Sequence, residues 1–367
     1  MPVALCAPDK LRGALDAPAA AAALAAGARA AGWEAIEHPL ADGGEGTCEA
    51  IVRATGGERV PVRTRDAIGR PRTAQLGVLP DGTCVVEGAE ANGLMHIPRN
   101  RRDVMRATSA GIAPLVLAAL DRGAPRIVIG LGGSATNDGG LGLLIGLGAR
   151  ACDASGQALR GRGADVPQVA SLDLAGLDPR LVRTELVVAV DVDSPLAGPL
   201  GATRTFGPQK GATPDQVELL DAGMARLEGL YGDPARRPGA GAAGGLGAAC
   251  FALGAEPIPG AVLVMRETRF AAALARADLV LTAEGSVDAQ SAAGKTVARV
   301  AAAARAAGVP CAVLGGRVDD DVDALYAAGA SAVLGIARGA RPIREALRAS
   351  GADLTAAARA LCTLRSA

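Results

Sequence analysis

The hydrophobic positions of this chain fall in short runs, each followed by a glycine-rich or acidic turn and then, in most cases, by an alanine-rich stretch. Val3–Ala7 precedes Pro8-Asp9-Lys10, and Arg126–Ile129 precedes glycines at 130, 132 and 133. Leu186–Val190 precedes Asp191, Leu279–Leu281 precedes Glu284, and Cys311–Leu314 precedes Gly315-Gly316. Short apolar runs alternating with longer helix-forming segments predict an α/β fold, with a mainly parallel sheet covered on both faces. In such sheets ligands bind beyond the carboxyl ends of the strands, so the chemistry is to be sought in these turns.

Three stretches read differently. Residues 60–86 show shorter alternating runs, with turns at Ile68–Pro71 and Pro80–Gly82, which predict a β-richer second domain. The uncharged Gly/Ala-rich segment Pro238–Ala249 predicts a tightly packed entry into a helix. Ala17–Ala31 could pass for a targeting or membrane segment, but it has no basic leader and is interrupted by Gly27 and Arg29. Asp16 as N-cap and Pro18 in the first turn make it an ordinary surface-docked helix.

Composition narrows the function. The 38 basic and 38 acidic residues cancel, which argues against a general attraction to nucleic acid or to an anionic membrane. With aromatics at 2%, base-stacking platforms are not expected either. The seven cysteines are odd in number, scattered and without a C-x-x-C pair, a usage that fits the reduced cytoplasm better than a disulfide framework or a zinc site. Only His38 and His96 are present, leaving little material for a histidine metal site or a serine–histidine triad.

Lysine usage is more pointed. The chain has 35 arginines and three lysines, Lys10, Lys210 and Lys295, and each lysine lies in a glycine-containing or strand-terminal motif: APDK, FGPQKGAT and SAAGKT. Where an arginine-rich chain keeps a lysine, a compact ammonium on a flexible stem is the property that a planar guanidinium lacks.

The segment GLGGSATNDGG (130–140) places closely spaced glycines and the donors Ser134, Thr136 and Asn137 after a strand, as an anion cradle requires. Gly130-x-Gly132-x-x-Ala135, with Asp153 about twenty residues on, also fits a relaxed dinucleotide fingerprint. That reading puts Gly139 and Gly140 in the first turns of a helix, at a cost of about 1 kcal/mol each; a longer phosphate loop with its helix starting near Leu141 fits better. SAAGKT (291–296) resembles the end of a Walker A loop, but Ala289 stands where the first glycine belongs. ADGGEGT (41–47), DVDSP (191–195) and AEGSVDAQ (283–290) bring carboxylates to strand ends, which suits Mg²⁺ binding and acceptance of a hydroxyl proton in phosphoryl transfer. Asp191 and Asp193 share one side of an extended segment.

Together, APD (7–9), ADGGEGT, GLGGSATNDGG, DVDSPLAGPLGAT (191–203), FGPQKGAT (206–213), PGAGAAGGLGAA (238–249) and AEGSVDAQSAAGKT (283–296) resemble the bacterial glycerate kinases of the glycerate 2-kinase type, in that family's order. The resemblance implies ATP and Mg²⁺, D-glycerate as acceptor and 2-phosphoglycerate as product. It also implies a flavodoxin-like α/β domain from residues 1–60 and 268–367, with a restriction-endonuclease-like α/β domain, 61–267, inserted, and an active site in the cleft between domains. The sequence departs from the family pattern at Leu11 and Arg12, where Phe and Lys are common, at Ile112 and Ala113, where a glycine and a hydroxyl are lost, and at Ser286, often Arg.

Within this reading Gly132, Gly133, Ser134, Thr136 and Asn137 cradle the nucleotide phosphates. Asp191 is the base or hydroxyl-orienting group, and Asp193, Glu284 and Asp288 compete for Mg²⁺. Lys10, Lys295 and Arg102 meet the substrate carboxylate and the transferring phosphoryl group, arginine being suited to a carboxylate by bidentate pairing, and Asp42 and Glu45 complete the substrate site. Two alternatives of other classes stay open on the residues: an NAD-dependent dehydrogenase of a small hydroxy acid, and a non-catalytic ligand-binding regulator that kept the fold.

Overall fold

The computed structural model describes residues 1–288, 291 and 295–366. Among these residues the strands are β1 (Val3–Cys6), β2 (Glu34–Glu37), β3 (Glu58–Arg65), β4 (Pro71–Val78), β5 (Cys84–Glu87), β6 (Arg126–Gly130) and β7 (Arg150–Cys152). They continue with β8 (Ser171–Asp173), β9 (Glu185–Ala189), β10 (Glu256–Ile258), β11 (Leu279–Val287), β12 (Cys311–Val318) and β13 (Ala332–Gly335). The chain divides into two compact units, Met1–Asp42 with Ala261–Ala367, and Gly43–Gly260.

The first unit is built on a five-stranded parallel sheet ordered β13-β12-β11-β1-β2. Counting its strands first to fifth along the chain gives the order 2-1-3-4-5, the flavodoxin-like arrangement, with its reversal of strand order between β1 and β11. Both faces are covered, which explains the unbroken apolar character of β1: Ala4 and Cys6 join the helices Ala17–Ala30 and Ile343–Ser366 in one core cluster, while Leu5, also fully buried, lies outside it. Asp16 caps the first of those helices by accepting the Ala19 N–H at 2.8 Å, as the sequence predicts. The alanine-rich surface lets the two helices approach until no side chain fits between them. A Cβ on Gly27 would sit 2.2 Å from the Thr355 carbonyl oxygen and 2.8 Å from Ala358 Cβ. The one tryptophan, Trp33, is buried at the same layer and donates its indole N–H to Ser366 Oγ at 2.8 Å.

The second unit holds a mixed six-stranded sheet, β10-β9-β6-β5-β4-β3, in which β3, β4 and β5 pair antiparallel and β5, β6, β9 and β10 parallel. The β-richer start predicted for residues 60–86 is this hairpin pair. Its boundaries differ from 60/61 and 267/268: the chain passes from one unit to the other at 42/43 and 260/261. Helix Thr47–Thr55 explains the first difference, because its Cys48 and Val52 pack beneath β4, close enough that a Cβ on Gly77 would meet both within 2.9 Å. An amphipathic helix declares that it has an apolar face, and not which sheet that face covers. At the other end, β10 pairs with β9 and holds the chain in the second unit up to Ile258.

All seven cysteines are buried and free. Burial pushes the thiols of Cys48, Cys250 and Cys311 up to about 12. Among the described residues no helix is long and apolar enough to cross a membrane.

Gly27 sets two effects against each other. Alanine is better than glycine in a helix by about 1 kcal/mol, whereas forcing a methyl group against fixed backbone costs about 1–3 kcal/mol. Gly27→Ala should therefore lower the thermal midpoint by a few degrees despite its better helix propensity, read by calorimetry. An equal or higher midpoint would show that the two helices separate freely.

Candidate active site

In the first unit the polar residues collect where the strand order reverses. Backbone bonds continue the β1–β11 pairing past the strand end, Ala7 N–H to the Leu281 carbonyl at 2.8 Å and Asp9 N–H to that of Ala283 at 3.0 Å. Thr282 adds a hydroxyl bond to the Ala7 carbonyl at 2.8 Å. Asp9 is thereby buried at the carboxyl edge of the sheet, where its carboxylate accepts the Lys10 N–H at 2.7 Å and the Thr296 hydroxyl at 2.8 Å. Burial, and then the nearby charge of Asp42, push the Asp9 carboxyl up to about 6.

Two lysines alternate with the acids at this edge. Lys10 Nζ lies 3.4 Å from Asp42 Oδ1. Lys295, at the N-cap of helix Thr296–Ala306, lies 3.3 Å from Glu284 Oε1 and 4.0 Å from Asp288 Oδ1. Burial raises the Glu284 carboxyl, against the pull of Lys295. Its second oxygen, Oε2, is buried without a hydrogen-bond partner. A buried acceptor left open is a rare feature that calls for a ligand, a water or an ion. Of the SAAGKT motif, Ala292, Ala293 and Gly294 lie outside the described residues, as do Ala289 and Gln290.

In the second unit the carboxyl ends of β5, β6 and β9 face a loop made by the rest of ADGGEGT. Glu87, which ends β5, accepts the N–H groups of Gly46 and Cys48 at 3.1 Å and so fixes the entry to helix Thr47–Thr55. The Thr47 hydroxyl is buried here without a partner. Gly132 donates to the Gly43 carbonyl at 3.3 Å, and a Cβ on Gly132 would stand 2.6 Å from the Gly44 Cα. Two backbones can run this close only where both lack side chains. Asp191, two residues beyond β9, is exposed and accepts the Gly260 N–H at 2.7 Å. Asp193 and Glu45 are also exposed.

The 130–140 loop is half surface and half interior. Gly132 and Gly133 are exposed, whereas Ser134, Thr136, Asn137 and Asp138 are buried. Thr136 Oγ1 accepts from Asn92 at 3.3 Å and Asn137 Nδ2 donates to Thr203 at 2.8 Å, so these two side chains brace the loop from within. The remaining oxygens of Asn92 and Asn137 are buried and unpartnered. Asp138 accepts from Ser109 N and Oγ at 2.6 and 2.7 Å and from the N–H groups of Gly140 and Gly142 at 3.1 and 3.2 Å. Its helix then runs Leu141–Gly146, starting where the sequence placed it. Lys210 is buried against the loop, and burial pulls its ammonium down to about 7, against the charge of Asp138.

Arg102 donates to the Gln209 carbonyl at 2.9 Å and to that of Ile97 at 3.4 Å, so its guanidinium is held by backbone. Among the described residues no three acidic, histidine or cysteine side chains converge as a metal-holding group; Glu284 and Asp288 both lie against Lys295. Asp153 spends its carboxylate on Ser155 and Gln157 in an exposed turn after β7, which removes the ribose-binding acid that the dinucleotide fingerprint needs. Sequence reading missed Asp9, Glu87 and Asp138. Glu87 carried the same sign as the acids that were found, a carboxylate closing an apolar run.

A family profile described as the glycerate kinase family matches residues 4–366. The chain belongs to the glycerate kinase family. It is 41% identical to a glycerate kinase of Bacillus subtilis, over 93% of this chain and 92% of that one. It is 38% identical to a glycerate 2-kinase of Escherichia coli K12, over 96% and 95%. A crystal structure assigned to glycerate kinase 2 of Salmonella typhimurium LT2 superposes with a TM-score of 0.86 at 38% identity, covering 100% of this chain and 98% of that one. The protein is thus an enzyme of the kinase class, a phosphotransferase.

The departures from the glycerate kinase pattern now have places. Leu11 is buried in the core of the first unit, and Ile112 and Ala113 in that of the second, so these are packing positions. Arg12 is exposed. Ser109, retained beside Ile112, is the residue that grips Asp138.

Asp9 yields a test with a definite sign. A carboxyl raised to about 6 from the ordinary 3.8 holds its proton more tightly folded than unfolded. Its ionisation then weakens folding as pH rises from about 4 to above 6, by about 2–3 kcal/mol. Asp9→Asn should raise the thermal midpoint at pH 7.5, with the gain shrinking towards pH 4.5. A gain independent of pH would remove the carboxylate as its source.

Proposed function

We propose that this protein transfers the γ-phosphoryl group of ATP to D-glycerate in a Mg²⁺-dependent reaction that yields 2-phosphoglycerate. The observation that carries the reading is the edge of the first sheet, where Lys10 and Lys295 alternate with Asp9, Asp42, Glu284 and Asp288. Phosphoryl transfer calls for cations against the phosphate oxygens and carboxylates for metal and proton within one small region. The product isomer follows the naming of the Escherichia coli relative as a glycerate 2-kinase.

Glu284 and Asp288 suit Mg²⁺: the unpartnered Glu284 Oε2 is a hard oxygen donor, and this ion keeps much of its water while taking one or two protein carboxylates. Asp193 is the third candidate. Bound there, Mg²⁺ would neutralise charge on the phosphate oxygens. Lys295 favours the charged form of Glu284 against burial and orients it. Lys10 and Asp42, with Glu45 and Arg102, serve the acceptor acid. In the second unit Gly132, Gly133 and Ser134 form the anion-facing side of the phosphate loop. The Gly132 N–H is committed to Gly43, so the donors offered to phosphate begin at Gly133. Thr136 and Asn137 act from behind, as braces. Asp191, oriented by the Gly260 N–H, accepts or directs the hydroxyl proton of the acceptor.

Purified protein with ATP, Mg²⁺ and D-glycerate should release ADP only when glycerate is present, with 2-phosphoglycerate identified by ³¹P NMR. Asp191→Asn should reduce kcat by about 10²–10⁴-fold with KM values little changed. Full turnover in that variant, with normal Mg²⁺ dependence, would remove Asp191 from the chemistry. A 3-phospho product would overturn the regiochemistry alone.

A further inference from the structure

Lys210 belongs to no role above, yet it is one of three lysines in the chain and lies buried beside the glycine-rich loop. Its ammonium donates to the Thr136 carbonyl at 2.6 Å and to Ser134 Oγ at 3.2 Å, across more than seventy residues of sequence. The segment that carries it is itself fixed: Arg102 holds the Gln209 carbonyl at 2.9 Å, and Gly211 turns at φ +96°, with the Arg102 carbonyl 2.7 Å from where a Cβ would stand. A side chain held at its base and reaching two points of one loop limits how that loop can bend.

The direction of these bonds matters. As an ammonium Lys210 only donates, so in that form Ser134 Oγ is the acceptor of this pair and its hydroxyl hydrogen is left to point elsewhere. The loop lies between two further fixtures, the Asp138 carboxylate with its four donors and the bridge in which Leu94 N–H binds the Gly133 carbonyl and Ala135 N–H that of Asn92. Ser134 stands between those anchors, with Lys210 beneath it.

We propose that Lys210 is a positioning residue for phosphate binding: it sets the backbone at Thr136 and turns the Ser134 hydroxyl outward as a donor to the ATP phosphates, without touching the nucleotide itself. This rests on the reading of residues 130–140 as a phosphate loop. A neutral, apolar side chain of similar length removes both effects and leaves the loop in place.

The test is a double-mutant cycle on the intact enzyme, with KM for ATP, KM for D-glycerate, kcat and thermal midpoint read for each variant. Lys210→Met should raise KM for ATP at least tenfold, with KM for glycerate within twofold of wild type. Ser134→Ala should raise it several-fold, and the double variant should be no worse than Lys210→Met alone. Equal rises in both KM values, or a purely additive double variant, would make Lys210 an ordinary core residue and overturn the proposal. An unchanged KM for ATP in Ser134→Ala, with Lys210 intact, would instead mark the failure of the phosphate-loop reading. Should Lys210→Met not fold, Lys210→Gln, which keeps an amide donor and buries no charge, gives the same readout: a rise of at least threefold for ATP alone is expected, and an unchanged value overturns the proposal.

Discussion

The pairing of β1 with β11 is the contact on which the first unit depends. It joins residues 4–6 to 279–281 in parallel register, so that one sheet is made from the two ends of the chain. Everything polar at that sheet's edge follows from the register. Asp9 arrives beside Ala283, Glu284 stands one residue farther along β11, and Thr296 reaches back from the next helix to Asp9. Parallel strands present their carboxyl ends together, and at a reversal of order the two flanking loops lead away in opposite directions and leave room for a ligand. A slip of one residue along β11 would exchange the buried Leu281 and Ala283 for their neighbours and take the acids with them.

The second unit solves a different problem, that of a sharply bent loop inside a core. Backbone groups cut off from water must find partners within the protein. Here the Asp138 carboxylate accepts the N–H groups of Ser109, Gly140 and Gly142, and Lys210 donates to the Thr136 carbonyl. The arrangement explains why a motif that reads as five equivalent phosphate contacts divides into two populations. Gly132 and Gly133 form the exposed part, and Ser134, Thr136 and Asn137 the buried part. A donor-rich sequence tells that hydrogen bonds are made without telling whether their acceptor is a ligand or a neighbouring strand.

Much of the fold was legible because it rests on local signals. Apolar runs located β1, β6, β9, β11 and β12 to within a few residues at their starts; β11 and β12 run on past glycines that look like turns, because their parallel pairing resumes beyond them at Ser286–Arg317 and Val287–Val318. Asp16 and Pro18 announced their helix, and Gly139-Gly140 delayed the next to Leu141. The domain boundary was not legible, since helix Thr47–Thr55 reveals its apolar face and not the sheet it covers. Asp9 and Asp138 escaped because a buried acid looks like any loop acid until its donors, Thr296 and Ser109, are brought from 287 and 29 residues away. Lys210 stood out by rarity alone, with nothing to say what it touched.

The cysteines carry a last consequence. Each unit has its own set, Cys6, Cys311 and Cys362 in one and Cys48, Cys84, Cys152 and Cys250 in the other, and every one is buried. A thiol kept from solvent reacts slowly with alkylating reagents. It becomes reactive only when its surroundings open, so labelling times the breathing of the fold. The chain thus contains two built-in clocks, one for each unit, and mass spectrometry of labelled peptides can tell which unit opens first.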